Sequence, residues 1–202
     1  MYRNIVFDLG GVVINYSPRD YLADRFFSER VEKRVYDIVF GSEEWLLLDR
    51  GALSWIEACA IFKKRAKEKD LSFEVQAVID DWTEMLTTRK ATVVLMRLLK
   101  KKGFNLYYMS NIAPLAFDEV SQREFFKLFV GGVTSYEAKS NKPDLVIYKT
   151  LLEKYNILPE ETIFTDDDRV NATAAFDVGI TGIQFKSVKS FVKLMVDYGI
   201  DL

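Results

Sequence analysis

Acidic, hydroxyl and amino side chains follow several short apolar segments of this sequence. Asp8 comes directly after NIVF, the pair Ser110 and Asn111 ends the segment that begins NLYYM, and three aspartates at 166–168 follow TIFT. Lys142 lies between the last two of these positions. Carboxylates bind Mg²⁺, a lysine neutralises phosphate oxygens, and a carboxylate can attack phosphorus to form an acyl phosphate. The set therefore predicts phosphoryl-transfer chemistry.

Each of these positions, taken alone, has an ordinary structural explanation. An aspartate before Gly-Gly is a common turn residue, Ser-Asn is a common helix N-cap, and a lysine before a proline is usually solvated. The three aspartates at 166–168 are harder to explain in this way. They repel one another directly after an apolar segment, where burying carboxylates is costly without a cation. They are the strongest single indication of a metal site.

The composition of the chain limits the chemistry that these residues can perform. The 202 residues include no histidine and a single cysteine, Cys59. The absence of histidine excludes Ser-His-Asp and Cys-His mechanisms and the usual zinc sites, and one cysteine excludes an internal disulfide. A bound metal should therefore be a hard ion such as Mg²⁺, held by oxygen ligands.

Neither a nucleic acid nor a membrane is expected as a partner. The formal net charge is -2, so the chain has no global basic surface for a polyanion. No apolar run reaches the roughly 18 residues of a membrane span, and the apolar run near Met1 is too short for a signal sequence. We expect a cytoplasmic protein that acts on a small molecule. The oligomeric state is not predicted.

Strand and helix patterns alternate along most of the chain. Apolar, β-branched or aromatic runs typical of buried strands occur at 4–8, 105–110, 129–135, 162–166 and 179–185. Two helical faces are indicated by Ala91, Val94, Leu95 and Leu98, and by Tyr148, Leu151, Leu152 and Tyr155. The second of these helices is predicted to open at Lys142-Pro143. The alternation predicts an α/β fold with a doubly wound, Rossmann-like parallel sheet.

The alternation is interrupted between residues 15 and 88. This stretch is helical in pattern, with Ser54 and Glu57 predicted to form a capping box. A crossover between parallel strands needs only about a dozen residues, so this stretch is an insertion. We predict a core domain of residues 1–15 and 88–202 and a helical cap of residues 16–87, joined by short hinges near 14–17 and 86–90. The cap should lie above the carboxyl ends of the strands.

Four motifs in this order resemble those of the haloacid dehalogenase (HAD) superfamily, in the subgroup with a helical cap after the first strand. The resemblance covers essentially the whole chain. The motifs are FDLGGVVIN at 7–15, MSN at 109–111, the lysine within SYEAKSNKPDLVIY at 135–148, and FTDDDRVNATAAFDVGI at 164–180. LDRGALS at 48–54 also resembles a cap segment of sugar-phosphate-type phosphatases in this group.

The resemblance implies a Mg²⁺-dependent phosphohydrolase of small phosphorylated metabolites, sugar phosphates among them. Asp8 would attack phosphorus and form an aspartyl-phosphate. Ser110 and the N–H of Asn111 would bind phosphoryl oxygens, and Lys142 would screen the charge between Asp8 and the substrate.

The resemblance also implies the metal ligands. Asp8 and Asp167 would each give a carboxylate oxygen, and Asp166 would either join them or orient Lys142. Gly10 would give its backbone carbonyl. The family pattern has a second aspartate at that position, which protonates the leaving oxygen and then activates water. Glycine keeps the carbonyl but cannot transfer protons, a contribution typically worth about 10²- to 10⁴-fold.

Three alternatives follow from Gly10. The enzyme uses a cap residue or a good leaving group, it is slow and broad, or the protein binds phosphorylated ligands or a partner without turnover. Dehalogenation is less favoured, because Leu9-Gly10 offers no aromatic side chain and the acids at 166–168 indicate a cation. The order of the motifs excludes a response-regulator receiver.

Residues of the predicted cap fall into two groups, candidate substrate contacts and candidate core residues. Arg19 and Arg50 are candidate substrate contacts. Five aromatic residues are predicted to form the core of the cap rather than a platform for substrate: Trp45, Trp55, Trp82, Phe26 and Phe27.

Overall fold

A computed structural model describes residues 1–200, so the last two residues of the predicted core domain lie outside the described part. Five strands form one parallel sheet in the order β3-β2-β1-β4-β5. Their bounds are β1 Asn4–Phe7, β2 Asn105–Ser110, β3 Gly131–Thr134, β4 Thr162–Asp166 and β5 Thr181–Gln184. Helices flank the sheet, so the predicted α/β fold is confirmed.

The register of the sheet brings the polar strand ends together. Phe7 pairs with Tyr108 of β2 on one side and with Thr165 of β4 on the other. The next residue, Asp8, donates its backbone N–H to the Thr165 carbonyl at 2.9 Å. Because all strands run parallel, their carboxyl ends lie at one edge of the sheet. The side chains that follow β1, β2 and β4 therefore meet at this edge.

Outside the inserted stretch, residues 1–200 contain six α-helices. Their bounds are α6 Lys90–Lys101, α7 Pro114–Ser121, α8 Ser135–Ala138, α9 Leu145–Tyr155, α10 Arg169–Ala174 and α11 Val188–Asp197. The predicted face of α6 was wrong: Val94 is 64% exposed, and the buried face contains Thr92, Val93, Leu95, Met96 and Leu99. Apolar residues lie almost all round this helix, so their spacing does not define which face is buried.

The predicted start of α9 was also wrong. The helix begins at Leu145, where the Asp144 side chain accepts a hydrogen bond from the Val146 N–H and caps the first turn. Lys142 and Pro143 precede the helix in a turn and are joined by a cis peptide bond. The Asp144 side chain accepts a hydrogen bond from an N–H of the first turn. A proline at the first helical position has no side-chain acceptor for such an N–H. Lys142 is therefore placed by a turn.

The inserted stretch contains five helices. Their bounds are α1 Pro18–Phe26, α2 Glu29–Ile38, α3 Glu43–Asp49, α4 Trp55–Glu68 and α5 Ser72–Asp81, followed by a 3₁₀ turn at Trp82–Met85. The predicted capping box between Ser54 and Glu57 is present at the start of α4. No helix within residues 1–200 has the length and hydropathy to cross a bilayer.

Aromatic rings fill the interior of this helical stretch. The Trp45 ring centroid lies 4.7 Å from that of Phe40 and 4.9 Å from that of Trp82. Phe27 was placed wrongly in the cap core, because it ends α1 in a left-handed conformation and is 87% exposed. A residue that leaves the helix at its C-terminus no longer follows the helical face.

The two chain crossings between the sheet and the inserted helices run side by side. The Asn15 N–H donates to the Thr87 carbonyl at 2.7 Å, and the Arg89 N–H donates to the Val13 carbonyl at 2.9 Å. The Asn15 side chain also donates to the Thr87 hydroxyl at 2.7 Å. We propose that these segments are the hinges of the predicted cap, residues 16–87.

Candidate active site

A buried ion triad lies at the carboxyl edge of the sheet. The Lys142 Nζ is 3.0 Å from Asp8 Oδ1 and 2.6 Å from Asp166 Oδ2. The side chains of Lys142 and Asp166 are 1% and 0% exposed, and that of Asp8 is 11% exposed. Removing one member of a buried ion pair leaves an uncompensated charge, so the three groups depend on one another.

The position of the triad changes the proton affinity of its members. Burial raises the pKa of Asp8 to about 7, and Asp166 acts in the same direction while Lys142 opposes it. Burial lowers the pKa of Lys142, but the two carboxylates outweigh this effect and raise its pKa overall. Lys142 is therefore a fixed positive charge beside Asp8.

Asp166 is held by hydrogen bonds on both of its oxygens. Its Oδ1 accepts from the Asp168 N–H at 2.8 Å, and its Oδ2 accepts from Lys142 at 2.6 Å. The Asn171 amide lies 3.3 Å from Oδ1 and 3.2 Å from Oδ2. These contacts favour the prediction that Asp166 orients Lys142, although they leave it close to the other acids.

Three carboxylates converge with the spacing of a metal site. One oxygen from each of Asp8, Asp166 and Asp167 can be chosen so that all lie within 4.8 Å of one another. Burial, and then the neighbouring Asp166, raises the pKa of Asp167. Three ionised carboxylates against one lysine leave an excess of negative charge that a divalent cation would neutralise. These oxygen ligands fit Mg²⁺, which prefers carboxylates and water.

The two glycines after Asp8 differ in what they require. Gly11 has a φ of +71°, and a Cβ there would lie 2.2 Å from Asp167 Oδ2, so no larger side chain fits beside this acid. A Cβ at Gly10 would meet only the Tyr16 side chain, at 3.4 Å, an ordinary contact. Gly11 is therefore needed by the fold of the loop, whereas a Cβ at Gly10 would make only an ordinary contact.

Asn111 positions the loop that carries Lys142. Its side-chain amide donates to the Lys142 carbonyl at 3.0 Å, and its Oδ1 accepts from the Lys142 N–H at 2.8 Å. The sequence indicated a phosphate contact by the Asn111 N–H but did not indicate this pair of hydrogen bonds. Ser110, at the end of β2, is 2% exposed and lines a cavity together with Asn111 and Lys142.

A cavity of about 170 Å³ lies above these groups. We call its polar base the floor, formed by Asp8, Ser110, Lys142, Asp166 and Asp167. The lining also includes a mostly apolar group, which we call the wall: Tyr16, Trp45, Asp49, Trp82, Leu86 and Ile112. The floor comes from the ends of β1, β2 and β4 and from the turn that carries Lys142, whereas most of the wall comes from the inserted stretch. The cavity therefore combines a charged base with a mostly apolar cover.

A family model provides the decisive comparison. The model of the haloacid dehalogenase-like hydrolases matches residues 2–179. The chain belongs to the haloacid dehalogenase-like hydrolase family. The predictions of HAD membership and of an enzyme in this family are confirmed.

Individual relatives of this HAD-like chain are named as phosphatases. Sesquiterpene phosphatase astK of Aspergillus oryzae is 28% identical over 184 residues, which cover 90% of this chain and 89% of the relative. D-ribitol-5-phosphate phosphatase of Bacteroides thetaiotaomicron is 26% identical over 207 residues, covering 91% and 92%. A HAD family enzyme of the same bacterium, solved with magnesium and inorganic phosphate, is similar in fold: the TM-score is 0.69 at 24% identity, covering 96% and 99%.

The two arginines predicted as cap contacts lie away from the cavity of this HAD-like protein. The Arg19 guanidinium stacks on the Tyr36 ring at 4.2 Å from its centroid, and Arg50 is an exposed residue at the end of α3. Neither lines the cavity. Arg19 instead supports the packing of α1 against α2.

Asp49, beside Arg50, is a cavity residue that lies within LDRGALS at 48–54 but was not predicted to have a role. It ends α3, lines the wall and is only partly exposed. Burial raises the pKa of Asp49 to about 7, and the negative charge of Asp8 acts in the same direction. No residue spacing linked Asp49 to Asp8, because the packing of α3 against the core brings them together.

Proposed function

We propose that this HAD-like protein is a Mg²⁺-dependent phosphatase of small phosphorylated metabolites that acts through an aspartyl-phosphate on Asp8. The proposal rests on one observation: Lys142 lies between Asp8 and Asp166, while Asp8 also belongs to the three-carboxylate cluster. A nucleophilic carboxylate beside a fixed cation and a cation site has the partners that phosphoryl transfer requires. The phosphatase names of the relatives support the same activity.

Each floor residue would have a separate role in phosphoryl transfer. Asp8 attacks phosphorus, while Lys142 offsets the repulsion between this carboxylate and the phosphoryl oxygens. Ser110 and the N–H of Asn111 hold those oxygens. Asn111 also fixes Lys142 through its side chain, so its loss would misplace the lysine.

Asp8, Asp167 and the Gly10 carbonyl would hold Mg²⁺, and Asp166 lies close enough to join them. The bound ion would supply positive charge to the phosphoryl oxygens during transfer. Gly11 keeps space for Asp167, since a Cβ there would collide with its carboxylate.

The wall supports a narrower choice of substrate. Most wall side chains are apolar, and Trp45 and Trp82 are 5% and 3% exposed. A sugar or polyol would leave hydroxyl groups without partners there, at a cost of about 1–3 kcal/mol for each. We therefore favour a compact apolar organic phosphate, of alkyl, aryl or short prenyl type. An apolar cavity of about 150 Å³ accepts a benzene-sized group, so a sesquiterpenyl chain would require the wall to open.

A substrate panel tests this proposal. Phenyl, benzyl and hexyl phosphates are compared with glucose 1-phosphate and ribitol 5-phosphate, each with Mg²⁺ and with a chelator. We expect Mg²⁺-dependent turnover, with kcat/KM higher for the apolar phosphates. Metal-independent turnover would contradict the mechanism, and a preference for the polyol phosphates would contradict the substrate class.

The alternatives that Gly10 left open predict other results. A non-catalytic phosphate binder would show no turnover on the panel, and a protein without the phosphoryl site would not be stabilised thermally by beryllofluoride with Mg²⁺. Dehalogenation has little support, because no arginine among residues 1–200 lines the cavity to hold a substrate carboxylate. Turnover of 2-chloropropionate without metal would favour it.

A further inference from the structure

We propose that Asp49 performs the proton transfers for which Gly10 has no side chain. This proposal rests on the phosphatase function above. It is carried by the position of Asp49 in the wall of the cavity whose floor contains Asp8. Asp49 lies in the inserted helical stretch, within LDRGALS at 48–54, and outside the four motifs that carry the predicted catalytic residues.

The backbone of Asp49 is tied to the core close to the floor. The Ser135 hydroxyl donates a hydrogen bond to the Asp49 carbonyl and accepts one from the Ile112 N–H at 3.0 Å. Ser135 is fully buried, and Ile112 follows the Ser110-Asn111 pair. The Ala113 N–H lowers the pKa of the Asp49 carboxyl. Asp49 is therefore held by the same loop that carries the predicted phosphate contacts.

The other acids of the cavity already have roles. Asp8 is the proposed nucleophile, and Asp166 is held on both oxygens by Lys142, Asp168 and Asn171. Asp167 lies beside Gly11 at the carboxylate cluster. Among the residues that line the cavity, Asp49 is the only carboxylic acid on the wall. Asp49 is therefore the acid of this cavity that remains available to a leaving group.

The surroundings of Asp49 suit an acid that both gives and takes a proton. Charged or titratable groups that face it are Asp8, Lys142 and Tyr16. Burial and the charge of Asp8 favour its protonated form, while Lys142 and the Ala113 N–H oppose this. A group that titrates near neutral pH is the most effective general acid and base. The geometry selects Asp49, and its proton affinity agrees with that choice.

The reaction has two steps, transfer of the phosphoryl group to Asp8 and hydrolysis of the aspartyl-phosphate. A carboxylate oxygen of Asp8 forms a bond to phosphorus as the bond to the leaving oxygen breaks, and the Asp49 proton passes to that oxygen to give the alcohol. Asp49, now ionised, then takes a proton from a water molecule whose oxygen attacks phosphorus. The Asp8–phosphorus bond breaks with its electrons returning to Asp8. Inorganic phosphate leaves, and Asp49 is again protonated.

Tyr16 is the rival proton donor. Its ring lies against Gly10, and burial raises the pKa of its phenol above the usual range. It holds its proton too strongly to act as a base near neutral pH. Asp49 can take part in both steps, whereas Tyr16 could assist only the first.

The test compares leaving groups in the full-length protein with Mg²⁺. Benzyl phosphate releases an oxygen that needs a proton, whereas p-nitrophenyl phosphate releases one that does not. We expect Asp49→Asn to lower kcat/KM for benzyl phosphate by about 10²- to 10⁴-fold, and for p-nitrophenyl phosphate by less than about tenfold. Asp37→Asn, an exposed acid on α2 paired only with Lys33, is the matched control and should change neither.

Restoring an acid at Gly10 gives a second readout. Because a Cβ at Gly10 would make only an ordinary contact, Gly10→Asp in the Asp49→Asn background should recover at least about tenfold on benzyl phosphate. Gly10→Asp alone should change kcat/KM for benzyl phosphate and for p-nitrophenyl phosphate by the same factor, since Asp49 already transfers the leaving-group proton. This single variant keeps the test informative even where Asp49→Asn fails to fold.

Three results would overturn the proposal. They are an equal loss or no loss on both substrates in Asp49→Asn, a selective loss in Tyr16→Phe instead of Asp49→Asn, and a gain from Gly10→Asp alone that is confined to benzyl phosphate. Wild-type protein without phosphatase activity would instead remove the proposed function, which is a different outcome from an active wild type that tolerates Asp49→Asn.

Discussion

The floor and the wall of the cavity are built in opposite ways. The floor consists of four charged side chains and Ser110, at neighbouring strand ends and in the turn that carries Lys142, with short contacts such as Lys142 to Asp166 at 2.6 Å. The wall consists mainly of apolar side chains, and Asp49 is its one carboxylic acid. A charged, fixed base suits a reaction common to many phosphates, while an apolar cover suits selection of the organic group. The contrast predicts that, apart from changes at Asp49, the reaction and the selectivity can be altered separately.

Among the changes proposed here, removing the nucleophile from the floor should have the largest effect on activity. Asp8→Asn keeps the shape of the side chain but not its charge, so we expect kcat to fall by at least about 10⁴-fold. Steady-state turnover of p-nitrophenyl phosphate with Mg²⁺ measures this loss. Full activity in Asp8→Asn would mean that the floor does not act through this carboxylate.

Removing the buried cation should weaken the fold as well as the activity. Lys142→Met leaves Asp8 and Asp166 without their partner, so we expect a loss of about 3–5 kcal/mol in the free energy of unfolding. Urea denaturation measures it, with the exposed Lys149→Met as control. Adding Asp166→Asn should return part of the loss. Unchanged stability in Lys142→Met would show that the triad is not a coupled unit.

Enlarging the wall should change selectivity but not the reaction. Leu86→Ala removes a buried side chain that lines the cavity, whereas Leu22→Ala removes a buried one that does not. Both should cost about 2–5 kcal/mol in stability. Only Leu86→Ala should lower kcat/KM for phenyl phosphate relative to naphthyl phosphate, by about tenfold or more. Equal substrate ratios in the two variants would contradict the assigned wall.

The smallest expected effect is a pH dependence that comes from the wall. Burial raises the pKa of Asp49 to about 7 from an ordinary 3.8, so the folded protein holds a proton that the unfolded chain has released. Folding stability is therefore lost as pH rises through this interval. With a chelator present, wild type should lose more stability than Asp49→Asn between about pH 4 and 7. Parallel denaturation curves would show that Asp49 does not titrate in this range.

The floor could be predicted from the sequence because its residues end apolar segments. Asp8, Ser110 and Asp166 follow or end buried strands, and parallel strands bring such positions to one edge. The roles assigned to them remain predictions. The turn that places Lys142 was mistaken for a helix start, because the sequence does not show that Asp144 provides the cap.

The wall could not be predicted in the same way. Asp49 reaches the cavity because α3 contacts the core through Ser135 and through the Asn141 amide, which donates to the Leu46 carbonyl at 3.2 Å. These contacts join residues far apart in sequence, and no periodicity encodes them. Trp45 and Trp82 were expected to be cap core, and they are buried there while also lining the cavity. Spacing does not distinguish these two roles.

The division between floor and wall is tested most directly by trapping the intermediate. Asp49→Asn is mixed with p-nitrophenyl phosphate and Mg²⁺, quenched in acid, and digested for mass spectrometry. If the floor transfers the phosphoryl group and Asp49 is needed to hydrolyse it, the peptide that contains Asp8 should carry one phosphoryl group, in a larger fraction than in wild type. Steady turnover without this adduct, or an adduct on another residue, would contradict the account.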